Sequence, residues 1–265
     1  MPKFAANISM MFNEVPFLDR FAAARAAGFE AVEFLFPYEH PAAEIAKRLE
    51  GNGLVNVLFN APPGDWNAGE RGMACLPERR AEFREGIKRA LEYSTALKCP
   101  RLHVMAGLTP AGAPRDTLLA TYAANLDFAA EECAKAGVKP IIEPINHRDI
   151  PGFFLNTTKE ATHIIDALGM ERVGLQFDLY HCQITEGDVA RKAAELLPYI
   201  AHMQVADTPG RNEPGTGEVN WDFVFNAIDA SGYRGWIGCE YRPKAETVAG
   251  LGWFARYRAA YPPAD

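Results

Sequence analysis

Four side chains with oxygen donors stand at the ends of short apolar runs. Glu143 closes Lys-Pro-Ile-Ile-Glu at 139–143, and Asp178 closes Gly-Leu-Gln-Phe-Asp at 174–178. Gln204 closes Ala-His-Met-Gln at 201–204, and Glu240 closes Gly-Trp-Ile-Gly-Cys-Glu at 235–240. Each run reads as a buried strand, and Pro144 stops the first because it has no N–H to give a ladder. A carboxylate on a buried strand is costly unless a partner compensates it, and a metal ion is one such partner. The alternative for each residue taken singly is a hydrogen-bonded core or rim group. Three carboxylates and one amide oxygen together make a hard site that favours Mg²⁺ or Mn²⁺ over Zn²⁺. With Glu143 and Glu240 on opposite sides of a metal, the chemistry that fits is proton abstraction beside a carbonyl, through an enediolate. One glutamate takes the proton from carbon, and the other returns it or handles a hydroxyl proton.

Histidines surround these positions. His181 follows Asp178 by three residues and is placed to touch a substrate. His103 has the inward parity of its strand, and His147 falls in the loop after Glu143. His202 reads as a core histidine below Gln204, and His40 and His163 as surface or structural groups. No His-Glu-x-x-His occurs, and no Ser/His/Asp or Cys/His order stands out.

The elements that must hold these groups alternate along the whole chain. Strands are expected at 3–9, 31–35, 54–60 and 101–105, then at the four runs above, with helices between them and a last helix at 246–257. The spacings between the four site residues, 35, 26 and 36 residues, are each the size of one βα unit. Eight such units in 265 residues match the ~250 typical of one (β/α)8 barrel, so a single domain over 1–265 is expected. A doubly wound open sheet is the runner-up, but no Gly-x-Gly-x-x-Gly follows a first strand and no phosphate-binding loop occurs. Alternation supports the barrel. Val173, Leu175 and Phe177 oppose Gly174, Gln176 and Asp178, so the apolar set can face the helices while the polar set faces inward. In the third strand, Val55, Val57 and Phe59 are expected on one face, and Asn56 and Asn60 on the other. The glycine-rich loop at 61–72 is long for a compact domain, and such loops usually carry function.

Composition excludes some partners. The net charge is −7 and the basic residues are dispersed, which argues against nucleic acid or an anionic membrane. No window has the ~20 apolar residues of a membrane span. Five cysteines, an odd number without a Cys-x-x-Cys pair, read as reduced thiols of a cytoplasmic protein. The start of the sequence, Met-Pro-Lys-Phe-Ala-Ala, lacks the pattern of a signal peptide. Trp253, Phe254 and Tyr257 can pack on a neighbouring copy, making a homo-oligomer, or on their own barrel.

The chain resembles the hydroxypyruvate isomerase family within the xylose isomerase-like TIM barrels. The resemblance lies in Phe-Ala-Ala-Asn-Ile-Ser-Met-Met-Phe at 4–12, Ala-Val-Glu-Phe-Leu-Phe-Pro-Tyr at 31–38 and Gly-Asp-Trp-Asn-Ala-Gly-Glu-Arg-Gly at 64–72. It continues in Ile-Glu-Pro-Ile-Asn-His at 142–147, Gln-Phe-Asp-Leu-Tyr-His at 176–181, Gly-Glu-Val-Asn at 217–220 and Trp-Ile-Gly-Cys-Glu-Tyr at 236–241. It implies interconversion of hydroxypyruvate and tartronate semialdehyde (2-hydroxy-3-oxopropanoate). It also implies Glu143 and Glu240 as catalytic acid/base groups and metal ligands, with Asp178 and Gln204 completing the metal site. A sister group resembles 2-oxo-tetronate isomerase and matches in the first forty residues, notably Asn-Glu-Val-Pro-Phe at 13–17. The loop stretches at 65–71 and 143–147 lean toward the three-carbon substrate. Either substrate carries a carboxylate, and Arg71, Arg211, Arg242 and Lys244 lie in loops near strand ends where they can bind it. Two other classes remain to be distinguished: a zinc-dependent nuclease on the same barrel, and a sugar-acid-binding barrel without chemistry.

Overall fold

The computed structural model describes residues 1–260; the last five residues of the expected domain lie outside the described residues. Its centre is a closed parallel barrel. In chain order it holds β1 (Lys3–Asn7), α1 (Arg20–Ala26), β2 (Ala31–Phe34), α2 (Ala42–Gly51), β3 (Val55–Asn60) and α3 (Arg80–Leu97). Then come β4 (Arg101–His103), α4 (Arg115–Lys135), β5 (Lys139–Ile142), α5 (Thr158–Leu168), β6 (Gly174–Asp178) and α6 (Leu179–Thr185). The chain continues through α7 (Val189–Glu195), β7 (Ile200–Val205), α8 (Trp221–Ala230), β8 (Trp236–Cys239) and α9 (Ala255–Ala260). Each strand pairs with its sequence neighbours, and β1 closes on β8 with Phe4 opposite Ile237. The expected (β/α)8 architecture is therefore present, with no open sheet edge.

Alternation sorts the side chains as expected in most strands. Phe4, Val32, Phe34, Leu175, Phe177, Met203 and Ile237 join the apolar layer under the helices. Inside the barrel, Ala5, Ala31, Val57, Leu58 and Ile141 form a small second cluster. Above it lies a polar layer containing Asn7, Glu33, His103, Gln176, His202 and Gln204, all buried.

Three features depart from the reading of the sequence. A bulge opposite Val32/Glu33 breaks the parity of β3, so Val57 and Leu58 both reach the inner cluster while Phe59 faces outward. Residues 179–185 form α6 directly after β6. Asp178 serves as its N-cap, accepting the Tyr180 N–H at 2.7 Å. The last expected helix is split into a 3₁₀ stretch at Val248–Trp253 followed by α9. Gly250 and Gly252 weaken α-helix there. Of the two packings open to the C-terminal aromatics, Phe254 and Tyr257 take the one on their own barrel, with Phe254 stacked on Phe29 at 4.4 Å and Tyr257 edge-on to Phe4 at 5.1 Å. No helix of the described residues is long and apolar enough to cross a membrane.

Candidate active site

The C-terminal mouth of the barrel opens into a cavity of about 890 Å³. Glu143, His103, His181, Arg211 and Glu240 line it, together with Trp66, Arg71 and Arg242 from the loops. Parallel strands bring their C-terminal ends to one face, so residues far apart in sequence meet there. Glu143 leaves the end of β5, Asp178 ends β6, and Glu240 follows β8. Ligand atoms of Glu143, Asp178, His181 and Glu240 all lie within 4.8 Å of one another, and all four residues are buried.

Three carboxyls so close in a dry site resist ionisation. Burial, then the charges of Glu240 and Asp178, raise Glu143 well above the ordinary range. Burial pushes Asp178 up to about 6 and Glu240 up to about 8, with Arg211 opposing both shifts. Burial lowers His103 to about 3, and burial with the Arg211 charge takes His181 well below its usual value, so both imidazoles are neutral at pH 7. Among the described residues Arg211 is the cation bonded into this group: its Nη2 donates to Glu240 Oε2 at 2.7 Å and its Nη1 to Asp149 Oδ2 at 3.0 Å. Burial alone would lower its pKa, but the surrounding carboxylates hold it raised.

The donor set fits a divalent cation. Glu143 Oε1 and Asp178 Oδ2 are buried without a hydrogen-bond partner among the described residues. Buried orphan carboxylate oxygens are rare unless an ion or water serves them. The other Asp178 oxygen is spent on the α6 cap. His181 Nε2 lies 3.6 Å from Asp178 Oδ2 and 3.9 Å from Glu143 Oε1. Its Nδ1 sits 2.6 Å from the Asn146 amide nitrogen, which fixes the ring. Gln204 lies one layer deeper. Its Oε1 accepts from Gln176 Nε2 at 2.5 Å, and its Nε2 donates to Glu33 at 2.7 Å.

The loops decide which cations reach the cavity. Arg71 sits 3.8 Å over the Trp66 ring and donates to the Trp66 and Glu70 carbonyls. Its loop is clamped where Gly72 bridges Ala106. A Cβ at Gly72 would fall 2.4 Å from the Met105 carbonyl oxygen, and φ there is +102°, so only glycine fits. Arg211 is carried by a turn that Asp207 closes, accepting the N–H groups of Gly215 and Gly217 at 2.9 Å each. Two sequence candidates fall elsewhere. His147 and Lys244 are exposed and do not line the cavity, because both side chains ride on loop segments turned to solvent.

Several site residues were not singled out from sequence. Asp149 holds Arg211 from the loop after β5, and Asn146 holds His181. Glu33 and Asn7 lie under the carboxylates, with Asn7 Nδ2 3.0 Å from Glu33 and 3.4 Å from Glu240. Glu14 accepts the Thr247 N–H at 2.6 Å, tying the loop after β1 to the one after β8. The signal for Glu33 and Asn7 was their inward parity at charged or amide positions inside apolar strands.

A model of the xylose isomerase-like TIM barrel family matches residues 21–257. The chain is 58% identical to the 2-oxo-tetronate isomerase of Cupriavidus necator, covering 97% of this chain and 99% of that one. It is 45% identical to the hydroxypyruvate isomerase of Escherichia coli, covering 97% of this chain and 100% of that one. A crystal structure from Brucella melitensis, described as an AP endonuclease of family 2, is 47% identical and superposes with a TM-score of 0.95 over 97% of this chain and 100% of that one.

Proposed function

The chain belongs to the xylose isomerase-like TIM barrel family and is an enzyme of the isomerase class, and from that premise we propose that it interconverts a short 2-oxo acid and its carbonyl-shifted isomer. The observation that carries the reading is the convergence of Glu143, Asp178, His181 and Glu240 within 4.8 Å on the floor of an arginine-lined cavity. Glu143, Asp178, Glu240 and Gln204 would hold the divalent metal, which we take as Mg²⁺ or Mn²⁺ because the donors are mostly hard oxygens. When bound, such an ion supplies charge for the oxygens of an enediolate, an effect worth several kcal/mol.

The chain's own residues do the proton work. Hydroxypyruvate and 2-oxo-tetronate both carry a C1 carboxylate, a C2 carbonyl and a hydroxylated C3; the latter adds a terminal CH₂OH. Glu143 or Glu240 removes the C3 proton and the other returns a proton to C2, while the O3 hydroxyl proton passes to O2, so that C3 becomes the carbonyl and C2 carries the hydroxyl. Neutral His181 and His103 offer N–H groups to substrate oxygens without adding charge. Arg71 and Arg211 are the cations placed to grip the C1 carboxylate, and Arg71 is the freer of the two, since Arg211 is already bonded to two carboxylates.

Of the two acids, we favour 2-oxo-tetronate as substrate. The support is the 58% identity to an isomerase named for it, against 45% to one named for hydroxypyruvate. The loop stretches at 65–71 and 143–147 favour hydroxypyruvate, which stands as the second reading. The net charge of −7 speaks against the nuclease reading that the Brucella structure's description invites. The five buried free thiols suit a reducing cytoplasm. Turnover in D₂O tests the chemistry. Proton transfer through carboxyls that exchange with solvent leaves deuterium on the product carbon, and complete conversion without any deuterium would contradict it.

A further inference from the structure

Beneath the carboxylates lies a further buried acid that does not line the cavity. Glu33, on β2, is fully buried, and its carboxylate is bonded from three sides. Its Oε1 accepts from Asn7 Nδ2 at 3.0 Å and from Gln204 Nε2 at 2.7 Å. Its Oε2 lies 2.6 Å from His202 Nε2. His202 Nδ1 is buried without a partner among the described residues, so the ring proton belongs on Nε2 and is donated to Glu33. Strand β8 leaves the room for this acid. A Cβ at Gly238 would fall 2.1 Å from Glu33 Oε2, and Gly238 is in register with Gln204.

We propose that Glu33 is the positioning residue of the metal site, acting through Gln204 and Asn7. The groups around Glu33 donate to its carboxyl oxygens, so Gln204 turns its nitrogen toward Glu33 and its oxygen toward Gln176, whose Nε2 donates to it at 2.5 Å. Without Glu33 only Gln176 orients the amide, and the Gln176 oxygen has no partner among the described residues to fix it, so the pair can turn together and Gln204 can present N–H groups, which repel a cation. Asn7 Nδ2 is shared between Glu33 Oε1 and Glu240 Oε1, the latter at 3.4 Å, so the same acid sets where the base of Glu240 stands. Partners that orient metal ligands in this way commonly change metal affinity ~10–100-fold when removed. The inference rests on the reading that Gln204 and Glu240 bind a metal.

Mn²⁺ titration by calorimetry tests it on the unaltered protein, Glu33→Gln, Gly238→Ala and Phe225→Leu. Glu33→Gln is expected to weaken Mn²⁺ binding about tenfold or more. Gly238→Ala keeps every charge but displaces the Glu33 carboxylate, and is expected to weaken binding by a similar factor. It decides the question if Glu33→Gln does not fold. Phe225→Leu disturbs the apolar layer away from Glu33 and the metal ligands, and should lower the melting temperature while Mn²⁺ affinity stays within about twofold. Affinity unchanged in Glu33→Gln or Gly238→Ala, or lost equally in Phe225→Leu, overturns the proposal. Absence of Mn²⁺ binding by the unaltered protein would sink the metal reading and this inference together.

Discussion

Glu240→Gln removes a charge while keeping shape and an amide oxygen for Arg211. Burial pushes the Glu240 carboxyl up from 4.5 to about 8. Between those values the folded chain holds a proton that the unfolded chain has lost. More protons bound in the folded state means stability falls as pH rises, fully present below about 4.5 and lost by about 8. Between pH 5.5 and 8.5 about 2.5 units of that window are crossed, at ~1.36 kcal/mol each, or about 3 kcal/mol. The substituted chain lacks this dependence. In metal-free buffer its stability relative to the unaltered chain should therefore rise by about 3 kcal/mol from pH 5.5 to pH 8.5. For a chain of this size that is a shift of roughly 6–12 °C in relative melting temperature. Urea and thermal melts followed by circular dichroism in EDTA at the two pH values read it directly. The same preparation with Mn²⁺ should lose turnover by ~10²–10⁴-fold. A stability difference that is the same at both pH values would refute the reasoning, because it would mean Glu240 is already ionised in the folded chain at low pH.

Three more predictions test neighbouring parts of the site. Glu143→Gln should lower kcat by ~10²–10⁴-fold with a small change in KM, measured by steady-state kinetics with intact folding checked by circular dichroism. Arg71→Met should raise KM for the acid about tenfold or more, whereas Lys244→Met, on an exposed side chain outside the cavity, should leave KM within about twofold. Protons and metal compete for Asp178 and Glu240, whose carboxyls titrate near 6 and 8, so the melting shift produced by Mn²⁺ should grow from pH 5.5 to pH 8.5.

The barrel and three of its site carboxylates were legible because each acid closes an apolar run. A charge at the end of a buried strand marks the mouth of a parallel barrel, and Pro144 marks the stop after Glu143. What escaped sequence reading depends on contacts made across the barrel. Glu33 lies inside Ala-Val-Glu-Phe rather than at its end, and its partners His202 and Gln204 are 169 and 171 residues away. The β3 bulge leaves no mark in composition, since Val57 and Leu58 are apolar on either face. Asp178 hid α6 because one residue both ends a strand and caps a helix. The paths of surface loops decided His147 and Lys244: closeness in sequence to Glu143 or Glu240 did not turn either side chain toward the cavity. Within the substrate question, short loop stretches leaned to the three-carbon acid and identity over the whole chain leans to the four-carbon one.

The most direct measurement is turnover itself. Purified protein loaded with Mg²⁺ or Mn²⁺ is given 2-oxo-tetronate and, in parallel, hydroxypyruvate, and the carbonyl shift is followed by NMR. The account predicts conversion with the higher kcat/KM on 2-oxo-tetronate, abolished by EDTA and restored by metal. A preference for hydroxypyruvate would move the substrate and leave the chemistry. Saturable binding of both acids with no turnover in either metal would contradict the central claim and leave a binding barrel in its place.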